Sequence, residues 1–255
     1  MHCTAELLAQ LKDIGVASGM DLLVHSSLKR LGPVEGGADG IIDTLLAAIA
    51  PDGTLMMSTV SGNVNAAQTV FHVAHTPSTV GALTNVFRQR PGTIRSLHPV
   101  HSIAAIGPKA KFFTEGHIEA RTPWSAESPY RKLMSSEGFI LFLGTDFSAN
   151  TCIHAIEIEA QVPGLHTETS TRLQVMDYDG VLYEIEHHWH APKLCCYTDL
   201  EHLVERAGGL TYGRIGNTIC RLVDATILHA TLLPLFRKSP ELGVLRKSNS
   251  RFIWE

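Results

Sequence analysis

No stretch of this chain approaches the roughly 20 consecutive apolar residues that a membrane-spanning helix requires, although 44% of its residues are hydrophobic. The start, Met1-His2-Cys3-Thr4-Ala5-Glu6, lacks the basic and apolar segments of a secretory leader, so a cytoplasmic protein is expected. Charge is sparse as well: 18% of residues are charged and the formal net charge is -4. That balance offers no basic face for nucleic acid as a partner, and it leaves room for a cationic substrate. The five cysteines, Cys3, Cys152, Cys195, Cys196 and Cys220, are odd in number and contain no C-x-x-C pair. They form neither a disulfide framework nor a zinc knuckle and read as reduced, structural thiols. Walker and G-x-G-x-x-G loops are absent too, as are repeats and low-complexity linkers.

What is present is an alternation of strand-like and helix-like stretches. Residues 5–17, 41–49, 80–88, 198–207 and 217–235 read as helices, and 22–25, 53–60, 102–107 and 138–143 as strands. A glycine-rich loop spans 32–40. Residues 169–176 and 180–187 read as a hairpin across Asp177-Tyr178-Asp179-Gly180, because Asp-Gly favours a tight turn. The order predicts an α/β fold, a single domain over residues 1–255 with a central mixed β-sheet flanked by helices. Nothing in the pattern excludes a homo-oligomer.

Three clusters carry chemistry. The first is Thr151-Cys152-Ile153-His154-Ala155-Ile156-Glu157, which follows the apolar run 138–143 and the turn 145–150. If residues 150–160 are helical, the spacing of three puts Thr151, His154 and Glu157 on one face. The carboxylate can then hold one imidazole N–H while the other nitrogen takes a proton, an arrangement suited to a general base. Cys152 turns to the opposite side, so a Cys-His nucleophilic pair is geometrically poor. The second cluster is Arg95-Ser96-Leu97-His98-Pro99-Val100-His101-Ser102, polar residues at the edge of a buried strand. Taken alone, His98 and His101 read as ordinary loop histidines. The third is His25-Ser26-Ser27-Leu28-Lys29-Arg30 at the end of the first strand, where small hydroxyls and two cations meet. Taken alone, it reads as a solvated turn.

In this order the clusters resemble the aminoglycoside N3-acetyltransferase family, with its H-S-S-L, R-S-x-H-P-x-x-S and T-x-x-H-x-x-E motifs. Thr76-Pro77-Ser78, Ser128-Pro129 and Arg214-Ile215-Gly216-Asn217 add to the likeness, which spans nearly the whole chain. The resemblance implies an antibiotic N-acetyltransferase-like α/β fold, distinct from the GNAT fold, and acetyl transfer from acetyl-CoA to the 3-amino group of a deoxystreptamine in a ternary complex. It implies His154 as base and Glu157 as its orienter. His25, Ser26, Ser27, Leu28, Lys29, Arg30, Ser96, His98 and Ser102 would line the acetyl-CoA and thioester site, with Lys29, Arg30 or Arg95 meeting its phosphates and Ser26, Ser27 or Ser102 stabilising the oxyanion. Thr151 and Asp146 would face the amine, and no metal is implied.

The chain also departs from the family. The stretch 58–70 contains no acid, the family's frequent Phe-Asp is Phe71-His72, and a glycine-containing approach to Ser-Pro is replaced by Trp124-Ser125-Ala126-Glu127. A different amine substrate therefore stays open. So do a catalytically silent binding protein of the same fold and a metal-dependent hydrolase. The hydrolase is suggested by the histidines and by the run His187-His188-Trp189-His190, but their close spacings match no zinc signature such as H-E-x-x-H. On a strand, His188 and His190 would share an exposed face, and so would Glu184 and Glu186.

Overall fold

The computed structural model describes residues 1–62, 70–191 and 196–242. Ten strands run through them: β1 (Asp21–Ser26), β2 (Thr54–Ser58), β3 (Val70–His72), β4 (Ile94–Arg95), β5 (Ile103–Ile106), β6 (Phe139–Leu143), β7 (His166–Met176), β8 (Leu182–His190), β9 (Leu210–Ile215) and β10 (Thr218–Asp224). The helices are α1 (Thr4–Asp13), α2 (Leu28–Leu31), α3 (Gly37–Ile49), α4 (Ala82–Phe87), α5 (Ala110–Thr114), α6 (Pro129–Ser135), α7 (Cys152–Glu159), α8 (Glu201–Arg206) and α9 (Ala225–Lys238). The main sheet has seven strands in the order β4-β5-β2-β1-β6-β10-β9, and a second sheet has the order β3-β7-β8. In the main sheet β1 runs parallel to β2 and β6, while β5 and β10 pair antiparallel on either side of them, so the sheet is mixed.

Alternation along β1 explains its continuous apolar sequence. Leu22 and Val24 pack into one core with α1 and α3, whereas Leu23 packs into the other with Tyr130, Ile153 and Leu228 from α6, α7 and α9. A strand covered on both faces has no polar side to show. The registers Ser26↔Leu143 and Ser58↔Ile103 then bring four segments to one edge: the ends of β1, β6 and β2 and the start of β5. That edge, at the carboxyl ends of the parallel strands, is where open α/β sheets build sites.

The C-terminal expectation needs correction. Residues 217–235 are not one helix, because Thr218–Asp224 forms β10 and only then does α9 begin. Gly216 and Asn217 make a two-residue hairpin between Ile215 and Thr218, with Gly216 at φ 56° and a Cβ there falling 2.6 Å from Leu31 O. Asp224 then caps α9 by accepting from the amides of Thr226 and Ile227. β-branched Thr218, Ile219 and Val223 suit the pleated surface against β9.

The 177–180 turn does join a hairpin, β7 with β8, and its exposed Glu184 and Glu186 form a solvated strand face. This hairpin packs Leu173 and Val175 on Phe71, Val73 and Val100. Its base is the pair His166↔His190, and His190, the last residue of β8, reaches the His154 ring of α7. No helix among the described residues is long and apolar enough to cross a membrane.

Candidate active site

α7 carries the first cluster as an eight-residue helix opened by Thr151, whose side chain does not cap it. Cys152, Ile153, Ala155 and Ile156 are buried in the core behind it, which fixes the opposite face outward. Cys152 is fully buried and burial raises its thiol far above the ordinary range, so it is packing rather than a nucleophile. His154 Nδ1 lies 2.8 Å from Glu157 Oε2, and the Tyr197 hydroxyl donates to the same oxygen at 2.9 Å. The Glu157 side chain is 1% exposed, against 21% for His154. A buried carboxylate with this partner draws the proton onto Nδ1, which leaves Nε2 with its lone pair outward.

Around this imidazole the fold gathers aromatic rings that the sequence left scattered. Trp124 lies 4.6 Å from His154 between ring centroids, His190 lies 4.7 Å away and Tyr197 5.4 Å. Trp124 also touches His101 at 4.8 Å and His166 at 5.8 Å. Burial holds His101 and His166 below the usual imidazole range, at about 3 and about 4, so both are neutral. The departure at Trp124 thus falls directly on the His154 ring. His190 is not the surface histidine expected of it, because it ends β8 against that same ring.

The second cluster is mainly scaffold. Arg95 is 2% exposed, and no carboxylate among the described residues pairs with it. Its guanidinium donates to Thr59 Oγ1, Ser102 Oγ, Thr59 O, Ser61 Oγ, Val73 O and Thr76 O, and it lies 4.7 Å over the Phe71 ring. Desolvation lowers it to about 10, still charged at neutral pH. It ties β5 to the loop after β2 and to the second sheet, and a phosphate contact from Arg95 is excluded by this burial. Ser102 Oγ donates to Thr59 O, Ser96 Oγ pairs with His117 Nδ1, and His98 Nδ1 accepts from the amides of Val100 and His101. Ser96, His98 and Ser102 are at most 1% exposed. In place of the side-chain contacts to acetyl-CoA expected of them, these three shape the loop.

The third cluster lies beside α7's approach. Ser27 N donates to Leu143 O, and Thr145 Oγ1 donates to His25 O. His25 is buried, stacks on Phe142 at 5.3 Å and is held neutral by burial at about 4. Ser26, Ser27 and Leu28 are partly exposed, whereas Lys29 and Arg30 reach solvent as cations at the strand edge. Asp146 Oδ1 accepts from the amide of Ser148 and its hydroxyl, and this bond to the hydroxyl is the main reason its carboxyl titrates below the usual range. Arg221 and Arg30 also face Asp146 and offset the charge it would offer an ammonium. Glu159 is committed to Arg131 and His229 on the far side of α7. Cys195 lies outside the described residues.

The model of the aminoglycoside 3-N-acetyltransferase family matches residues 23–236, from β1 to α9 and including all three clusters. This chain belongs to that family. Aminoglycoside N(3)-acetyltransferase IV from Salmonella sp is 32% identical over 257 residues, covering 97% of this chain and 94% of that protein. A crystal structure of aminoglycoside acetyltransferase AAC(3)-IVa, a histidine-to-alanine mutant in complex with a gentamicin, superposes with a TM-score of 0.83 at 29% identity, over 95% of this chain and 91% of that one. YokD from Bacillus subtilis, a prophage-derived aminoglycoside N(3')-acetyltransferase-like protein, is 28% identical over 85% of each chain. The α/β fold is therefore the family's own.

Of the functional candidates, the sequence missed the roles of Tyr197, Trp124 and His190 in this site. The histidine-rich run 187–190 and the departure at Trp124 carried a signal for two of them. Tyr197 comes from a segment 40 residues beyond Glu157 with no motif around it.

Proposed function

We propose that this protein is an acetyl-CoA-dependent N-acetyltransferase acting on the 3-amino group of deoxystreptamine aminoglycosides, with His154 as general base and direct transfer in a ternary complex. The observation that carries the reading is the buried Glu157 carboxylate on His154 Nδ1, backed by the Tyr197 hydroxyl, at the carboxyl edge of the parallel strands. An aminoglycoside amine is mostly ammonium at neutral pH and cannot attack until it loses a proton. The ammonium releases that proton to solvent, the lone pair so freed forms the new bond to the thioester carbonyl carbon, and His154 Nε2 accepts the second proton, which the nitrogen sheds as the bond forms. The carbonyl electrons move onto oxygen and return as the C–S bond breaks and CoA leaves as the thiolate, to which the imidazolium can return a proton. Glu157 stabilises the imidazolium between these steps. Family membership and the gentamicin complex of a relative support the amine class, and the acetyl donor follows from the family's activity.

Lys29 and Arg30 are the exposed cations available to CoA phosphates, beside the partly exposed Ser26 and Ser27. Thr151, partly exposed at the start of α7, and Asp146 would face the amine. One observation favours a second reading, the same transfer to a different amine: Asp146 is flanked by Arg221 and Arg30, and the stretch 58–70 contains no acid to hold a polycation. A CoA-release assay against a panel of aminoglycosides and simpler amines decides between them. Turnover with a 2-deoxystreptamine antibiotic supports the first reading, turnover only with another amine moves the chain to the second, and no turnover with any amine refutes both.

A further inference from the structure

We propose that His154, Glu157 and His190 form a binding site for a zinc-type divalent transition-metal ion, which holds the enzyme inactive while bound. Each of the three offers a ligand atom, and these atoms all lie within 4.8 Å of one another. Tetrahedral zinc with N and O donors at about 2.0–2.1 Å needs its ligand atoms roughly 3.3 Å apart. The closure required is at most about 1.5 Å of side-chain movement, and the His154–Glu157 pair, now 2.8 Å apart, would open by about half an ångström.

The donor set fits such an ion. Two imidazoles and one carboxylate suit zinc, copper or nickel rather than magnesium or calcium. Three protein ligands leave the fourth position for water. Glu157 supplies a negative charge from a nearly dry position, and the Tyr197 hydroxyl orients it, as the partners of metal-bound carboxylates do. Trp124 walls the cluster, with ring contacts to His154 and His190, and His166 stands beside His190 at 6.3 Å. The ligands come from α7 and the end of β8, 33 positions apart between Glu157 and His190, so no spacing in the sequence announces them.

Occupation would silence the base by either nitrogen of His154. An ion on Nε2 blocks the lone pair directly. An ion on Nδ1 takes the place of the proton shared with Glu157, and that proton moves to Nε2, which then cannot accept another. Inhibition rests on His154 as base, whereas binding of the ion does not.

The test is a Co2+ titration of chelator-treated, desalted protein, followed by visible d–d absorption, with Zn2+ as competitor and Mg2+ as control. The expected result is saturation at about one equivalent, displacement by Zn2+ and not by Mg2+, and at least roughly tenfold weaker binding in His190→Asn and Glu157→Gln. Circular dichroism checks that both variants fold. In parallel, acetylated product is measured by mass spectrometry, because the thiol of free CoA would itself take up zinc. Zn2+ should stop product formation, a chelator should restore it, and His190→Asn should resist. An absent Co2+ signal, or one unchanged in both folded variants, overturns the site even where His154→Ala is inactive. Zn2+ that displaces Co2+ without slowing product formation overturns the inhibition, and with it the base role of His154.

Discussion

Glu157→Gln isolates the contribution of the buried carboxylate. Glutamine keeps the volume of a side chain that is 1% exposed, and its carbonyl can still accept from His154 Nδ1 at the 2.8 Å position. What disappears is the negative charge beside an imidazole that, in the proposed mechanism, becomes cationic during proton transfer. A hydrogen bond to a charged group contributes about 1.5–3 kcal/mol more than nothing in its place, which converts to roughly 10- to 100-fold in rate. Because the amide can also turn its NH2 toward the ring and favour the wrong tautomer, the loss can extend to about 10^4-fold, as in other carboxylate–imidazole pairs. The assay is CoA release at saturating acetyl-CoA with the best amine of the panel. kcat should fall by at least about tenfold, with acetyl-CoA affinity within a factor of about two and Tm close to that of the parent. A folded Glu157→Gln enzyme with kcat within about threefold of the parent would refute the reasoning, since it would place no developing charge on His154.

Burial holds His25 and His117 at about 4, against 6.5 in an unfolded chain. Their folded pKa values are depressed, so the stability they carry is intact above pH 6.5 and is lost as pH falls toward 4. At up to about 1.4 kcal/mol per unit and group, the drop from pH 6.5 to 5 costs about 3 kcal/mol for these two. Tm should therefore decline steeply across that window and less so in His117→Gln, as differential scanning calorimetry would show. Arg95→Met removes the guanidinium donor from the Val73 and Thr76 carbonyls, while Thr59 and Ser102 keep their bond to each other. A loss of about 3 kcal/mol is expected, a fall in Tm of roughly 6–12 °C, measurable by thermal and urea unfolding.

The legible parts of the site were those compressed into one short element. His154 and Glu157 lie on an eight-residue helix that Thr151 precedes, and their spacing alone predicts the contact between imidazole and carboxylate that the fold contains. The parallel centre of the sheet was legible for a similar reason, since β1, β2 and β6 are short apolar runs between turn signals. Arg95, Ser96 and Ser102 looked like ligand groups because polarity at a strand edge reads the same whether it faces solvent or pins a second sheet. Only the position of Phe71 and Val73 beneath the loop decides for the interior. The strand β10 was hidden because Thr218–Asp224 runs into α9 without a proline or glycine, and the cap at Asp224 resembles any acidic residue of a helix's first turn. Tyr197, Trp124 and His190 were invisible as a group, since what unites them is tertiary packing around His154.

The central claim, that His154 accepts the proton of the attacking amine, is tested most directly by His154→Ala measured twice on one preparation. Isothermal titration should show acetyl-CoA binding within a factor of about three of the parent, while CoA release with the preferred amine falls by at least about 10^2-fold. Turnover retained at parental rates in the folded variant would contradict the account.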